Sequence, residues 1–182
     1  MSRFPSLPEP TELLDVFRRF PQGVPQLLQY HDAVLRGPSP LSSGERELIA
    51  AYVSGLNKCS YCHGVHTEVA REFGIAPDLA EKLLHDPELA PVEPRLRPIL
   101  EYVRKLTLSP ARMVDEDARK VFEAGWSEEA LHHAVRVCAL FNFMNRLVEG
   151  MGVVQNPDMN IPAEIAISDN TYTALTEILN LR

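Results

Sequence analysis

The chain has 182 residues, 45% of them hydrophobic, and carries a formal net charge of -7 with a pI near 5.4. That length and apolar content suit one domain with a sizeable core, and the acidic balance excludes an overall basic footprint for nucleic acid. Three cysteines are too few and too uneven for a secreted disulfide scaffold, so a reducing, cytoplasmic setting is expected, where a close pair does redox work or binds a metal.

Helical signals dominate along the chain and no convincing strand alternation is found. The first ten residues are broken by prolines and lack the long apolar core of a secretory signal. A first helix is expected over Thr11–Phe20 with Thr11 as its cap, and a second over Val24–Leu35, stopped by Gly37-Pro38-Ser39-Pro40. Ser42 followed three residues later by Glu45 is a capping-box pattern that opens a helix to about Leu56. After a turn at Asn57-Lys58, a helix is expected from Ser60 to Phe73, ending at Gly74. A short helix then follows Pro77-Asp78 through Leu84. A proline-rich link over 87–94 leads to helices at Arg95–Leu108, Asp115–Ala124 and Glu128–Val148, and a last one at Thr171–Leu181. The helix from Glu128 is apolar almost all round, which predicts burial on every side, inside the subunit or between subunits. Its richest stretch, Val135 to Val148, is interrupted by Arg136, Asn142, Asn145 and Arg146 and is too short to span a bilayer.

Cys59-Ser60-Tyr61-Cys62-His63-Gly64-Val65-His66 carries the chemistry. On a helix this spacing stacks Cys59, Cys62 and His66 along one face. A helix start and a CxxC setting lower a thiol pKa from roughly 8.5 to about 3.5–7.5, because unpaired N–H groups and the dipole favour a negative sulfur. With His66 one turn below, Cys62 is the expected attacking thiolate and Cys59 the resolving thiol. Cys62 would take the terminal oxygen of a hydroperoxide and become a sulfenic acid. Cys59 would condense with it to a disulfide, and a dithiol reductant would reset the pair. Glu47 is not used by the capping box, and small residues, Ala51 and Ser54, lie a turn or two beyond it. A carboxylate there could orient His66 and hold its proton.

The constellation of Glu47, then Cys59-Ser60-Tyr61-Cys62 twelve residues on, then His66, resembles the signature of the AhpD-like alkylhydroperoxidases within the carboxymuconolactone decarboxylase superfamily. Gly37-Pro38-Ser39-Pro40-Leu41, Ala124-Gly125-Trp126-Ser127 and Asn145-Arg146 are similar to its peroxidase-related members. The likeness covers about residues 25–152, leaving 1–24 as an amino-terminal helical extension and 153–182 as a carboxy-terminal segment. It implies an all-α, AhpD-like helical bundle with the CxxC at the first turn of a core helix, assembled as trimers or hexamers. It also implies hydroperoxide reduction at Cys62 with Cys59 as its partner and proton donor, Glu47 and His66 as the proton relay, and no bound cofactor. The reductant would be a dithiol, of the lipoyl type or a thioredoxin-like protein. One departure stands at Tyr61, where AhpD itself has a histidine; a phenol with a pKa of about 10 is a poor base near neutral pH.

Other readings of the same residues are open. Cys59, Cys62 and His66 could ligate zinc, with His63, His31, His85, His132 or His133 as a fourth ligand, although there is no second CxxC. The disulfide could serve a non-catalytic redox sensor or a structural oligomer instead of a catalyst. A decarboxylase acting on a carboxymuconolactone-type substrate is a third possibility, disfavoured because that chemistry needs no dithiol. His63 is expected at the surface, Cys138 in the core, Arg146 in a buried ion pair, and His132-His133 on a solvated face.

Overall fold

The computed structural model describes residues 3–154 and 171–180. Its α-helices are α1 (Leu13–Arg19), α2 (Val24–Leu35), α3 (Ser43–Leu56), α4 (Ser60–Glu72), α5 (Leu79–His85), α6 (Arg97–Leu108), α7 (Asp115–Glu123), α8 (Glu128–Met151) and α9 (Ala174–Ile178). A 3-10 turn at Pro110–Arg112 joins α6 to α7, and among the described residues there is no strand, only a single bridge between Thr11 and Val153.

Helix α3 is the axis of the fold. Every residue from Arg46 to Ser54 is buried, the pattern of a helix surrounded on all sides. Helix α4 is its most extensive neighbour, and α8, α5, α6 and α2 complete the cover. The start of α3 is set by the expected capping box: Ser42 Oγ accepts from the Glu45 amide at 3.1 Å, and Glu45 Oε2 accepts from the Ser42 amide at 2.7 Å. Leu48, Ile49 and Val53 are fully buried in the same cluster as Phe141 and Val137 of α8, and each such side chain contributes about 1.5–3 kcal/mol by leaving water.

Between α3 and α4 the chain reverses over Asn57, Lys58 and Cys59. Lys58 takes a left-handed conformation, φ 59°, uncommon for a side chain with a Cβ, and the Cys59 amide returns to the Ser54 carbonyl at 3.0 Å. A polar cluster holds this reversal. The Asn57 amide donates to Asn142 Oδ1 (3.2 Å) and Asn145 Oδ1 (2.9 Å), while Asn145 Nδ2 donates to Ser54 Oγ (2.9 Å). At the other end of α3, the buried Arg46 donates to the Val34 and Gly37 carbonyls at 3.1 and 2.8 Å. It thereby satisfies the last turn of α2, where orphan carbonyls need donors.

Several elements depart from the expected outline. Thr11 does not cap α1; Glu12 is the cap, and Thr11 is buried, with its hydroxyl on the Pro8 carbonyl and its own carbonyl accepting from the Val154 amide. Helix α6 begins at Arg97, because Arg95 serves Trp126, accepting from the indole N–H at 2.7 Å and lying over its ring at 3.8 Å. Helix α8 has an open side, with Phe143 53% exposed, and Arg146 is exposed and bonded to Asn142 in place of the expected buried ion pair. Of the adjacent histidines, His132 is exposed but His133 is buried. The last helix is only Ala174–Ile178, since Tyr172 and Thr173 give their amides to Asp32; Leu181 lies outside the described residues.

The Asn145 cluster makes a measurable claim. Asn145→Ala removes two side-chain hydrogen bonds and leaves Asn57 and Ser54 short of partners, which should cost about 2 kcal/mol at roughly 1 kcal/mol per bond. Urea unfolding reads this loss; an unchanged midpoint would mean that the cluster does not hold the reversal.

Candidate active site

Cys59 is the N-cap of α4 and Cys62 its third residue, so the helix start built by the 57–59 reversal carries both sulfurs. Both are free thiols, and both are buried, at 0% and 3% exposure. The Cys62 thiol beside Cys59 favours a negative Cys59 sulfur, as does the Cys62 backbone amide, and together they hold Cys59 below the ordinary thiol pKa against burial and the Glu149 carboxylate. The negative Cys59 sulfur pushes Cys62 upward, burial adds to this, and Asn145 opposes it. The two shifts run in opposite directions, so a negative charge on one sulfur makes a second charge on the other costly.

Tyr61 is buried, and burial first, then Cys62, Glu12 and Cys59, raise its pKa above the usual phenol value. It stays a neutral phenol and supplies no base.

One turn beyond Cys62, His66 is buried and meets Glu47 of α3. Glu47 Oε2 lies 2.6 Å from His66 Nδ1. Because an ionised carboxylate only accepts, Nδ1 is the nitrogen that carries a proton toward Glu47. The imidazole packs against Phe141 of α8 with centroids 4.3 Å apart. Among the described residues no hydrogen bond joins His66 to either sulfur.

Glu47 has 0% exposure, which would ordinarily force it neutral. Burial does act to raise its pKa, but His66 and Arg36 more than offset this and hold it below the usual carboxylate value. Arg36 Nη1 donates to Oε1 at 2.6 Å, and the Tyr172 hydroxyl donates to the same oxygen at 3.0 Å. The Arg36 guanidinium lies over the rings of Phe73 (4.8 Å) and Tyr172 (5.1 Å). Tyr172 is itself raised far above the phenol range by burial and then by Glu47, so it acts as a donor.

The structure thus brings Glu47 to His66 and Cys59 to Cys62, as the spacing suggested. Arg36, Tyr172, Phe141 and Asn145 were not anticipated; each reaches the site through tertiary packing. His63 is half-buried, not on the surface, with Nδ1 on the Ala51 carbonyl at 2.9 Å and Nε2 3.5 Å from Glu81. Among the described residues no group of three or more His, Cys, Asp or Glu is arranged to hold a metal ion. Cys138 is in the core beside Thr107.

His31 of α2 lines the same cluster, 5.2 Å from the Tyr172 ring and 6.2 Å from Phe141. Burial above all lowers its pKa from 6.5 to about 4, although the bond from Nδ1 to the Leu27 carbonyl opposes this. Between these values the unfolded chain binds more protons than the folded one. The His31 contribution is therefore complete above pH 6.5 and drains as pH falls toward 4, by up to about 3 kcal/mol. His31→Phe should flatten the dependence of the thermal midpoint on pH across this window; an equally steep curve would place the acid sensitivity elsewhere.

Residues 21–99 match the model of the carboxymuconolactone decarboxylase family. The uncharacterized protein YdfG of Bacillus subtilis (strain 168) is 28% identical over 114 residues, covering 63% of this chain and 78% of that protein. A peroxidase-related protein from Silicibacter sp. TM1040 superposes with a TM-score of 0.74 at 27% identity, covering 80% of this chain and 76% of its own. The alkylhydroperoxidase AhpD core of a peroxidase-related protein from Ralstonia eutropha JMP134 gives a TM-score of 0.76 at 23% identity, over 86% and 93% of the two chains. At that identity the second likeness speaks for the fold, which is the all-helical AhpD arrangement. The matched stretch runs from α2 to the start of α6 and contains the thiol pair and its Glu47–His66 neighbours, so the site lies within the part of this chain that is similar to the AhpD-like, carboxymuconolactone decarboxylase superfamily.

Proposed function

We propose that this protein is a thiol peroxidase that reduces organic hydroperoxides or hydrogen peroxide through Cys59 and Cys62, with Glu47 and His66 moving the protons. The observation that carries this reading is the pairing, around one helix start, of a dithiol that shares a single negative charge with an imidazole tied at Nδ1 to a buried carboxylate. Relatives named as peroxidase-related support the same role.

The cycle follows from the charge distribution. The Cys62 proton passes to the neighbouring Cys59 sulfur, and the Cys62 thiolate attacks the terminal oxygen of the hydroperoxide. The O–O bond breaks as the S–O bond forms. His66, protonated at Nε2 from solvent while Nδ1 stays on Glu47, gives that proton to the departing alkoxide, which leaves as alcohol or water. Cys62 is now a sulfenic acid. Cys59 attacks it, the disulfide forms and water departs, with the Cys59 proton accounting for that water. A dithiol reductant, of the lipoyl type or from a thioredoxin-like protein, returns both thiols by exchange. This cycle suits a reducing cytoplasm and an assembly of three or six subunits. Tyr61 would contribute at most a hydrogen bond.

The lowered pKa of Cys59 favours a second assignment, in which Cys59 attacks and Cys62 resolves. Trapping separates the two. Cys59→Ser should undergo one oxidation and stall as a Cys62 sulfenic acid visible by mass spectrometry, while Cys62→Ser should not react with peroxide. The reverse pattern would exchange the roles. His66→Ala should slow peroxide reduction by about a hundredfold or more, as loss of a general acid–base group does; a variant that turns over normally with any dithiol would remove His66 from the mechanism. If the wild type oxidises reversibly yet consumes no peroxide with dihydrolipoamide or other dithiols, a redox-sensing or structural role takes the place of catalysis.

A further inference from the structure

Tyr172 stands far from the rest of the site in sequence, 125 positions after Glu47 and beyond the 21–99 stretch matched by the family model. We propose that Tyr172 is a positioning residue of the proton relay, its phenolic O–H completing the donor set on Glu47 so that Oε2 alone serves His66. This rests on the reading of Glu47 and His66 as that relay.

The geometry is specific. On one carboxylate oxygen, Arg36 Nη1 sits at 2.6 Å and the Tyr172 hydroxyl at 3.0 Å; on the other, His66 Nδ1 sits at 2.6 Å. The Tyr172 ring lies nearly parallel to His66, at 25° with centroids 6.4 Å apart, and tilts over His31 at 5.2 Å. It therefore fills the space between the two imidazoles while its hydroxyl points to the carboxylate. The segment that delivers it is fastened to α2. Asp32 accepts from the Tyr172 amide, from the Thr173 amide at 3.0 Å and from Thr173 Oγ1 at 2.7 Å. Asp32 and Arg36 are one turn apart on α2, so a single helix supplies the cation for Glu47 and the anchor for its phenol.

The consequence is electrostatic. Each donor on a carboxylate lowers its affinity for a further proton. Among the described residues, the charged and titratable groups around Glu47 are His31 of α2 and Arg36 at its end, His66 of α4 and Tyr172, with Arg46 of its own helix and Asp32 beyond them; from α8 the ring of Phe141 packs on His66. Arg36 is charged throughout, and burial keeps His31 neutral near pH 7. Tyr172 is thus the neutral donor whose removal leaves the ion pair intact but makes Oε2 a stronger acceptor for the His66 proton. Without it the Glu47–His66 pair should hold its proton to higher pH.

Tyr172→Phe keeps the ring and deletes the hydroxyl. The titration of the His66 ring nitrogens, followed by 15N NMR on the reduced full chain, should move upward by about one unit, the effect of about one charge-assisted bond. The pH profile of peroxide reduction should move upward with it. Thr173→Val, remote from Glu47, should give a smaller shift of the same sign by loosening the anchor. An unchanged His66 titration and tautomer in Tyr172→Phe overturns the proposal, as does a shifted titration that leaves the pH profile of an active enzyme untouched. Because the NMR titration needs no turnover, a wild-type protein that reduces no hydroperoxide would defeat the peroxidase reading alone and still leave the effect of Tyr172 on His66 open to measurement.

Discussion

The buried carboxylate of Glu47 is the constraint around which this fold is arranged. A negative charge with no access to water is tolerated only when its lone pairs are filled by well-placed donors, since the desolvation cost otherwise drives it neutral. Here the donors come from three separate places: the end of α2, the first half of α4 and the segment before α9. All three meet Glu47 around the enclosed helix α3, so the polar site is set by the same packing as the apolar core. Arg46 extends the same logic, because its grip on the last carbonyls of α2 sets where Arg36 emerges.

The thiol end of the site depends on a different device. The reversal at Asn57-Lys58 places Cys59 at the N-cap of α4, where a capping oxygen would normally sit. Neutral asparagine amides from α8 brace this turn. Near Cys62 the polarity is supplied by dipoles, and near His66 by full charges.

What could be read from the chain was whatever depends on neighbours three or four residues apart. The Ser42–Glu45 box, the span of α2, the helix carrying Cys59, Cys62 and His66, and the stop at Gly74 are all local, and the structure contains each. The family likeness rested on the same short-range pattern together with Glu47. The partners of Glu47 were not legible. Arg36 reads as an ordinary helix-end cation before Gly37-Pro38, and Tyr172 as one aromatic in a polar tail; only tertiary packing brings them within hydrogen-bond distance of the same oxygen. Arg146 and His133 show the limit of reading a long apolar helix by composition, since its open side falls at Phe143 and Arg146.

Only Ser60 and Tyr61 separate the two sulfurs, and both sulfurs belong to the same turn of α4. A bond between them would enclose so short a loop that the chain entropy it removes is worth only about 2 kcal/mol. Nothing distant is tied down or released when it closes or opens. Such a bridge is a weak mechanical lever and an easily recycled store of two electrons, which suits repeated turnover better than the large change of shape that a signalling latch would require.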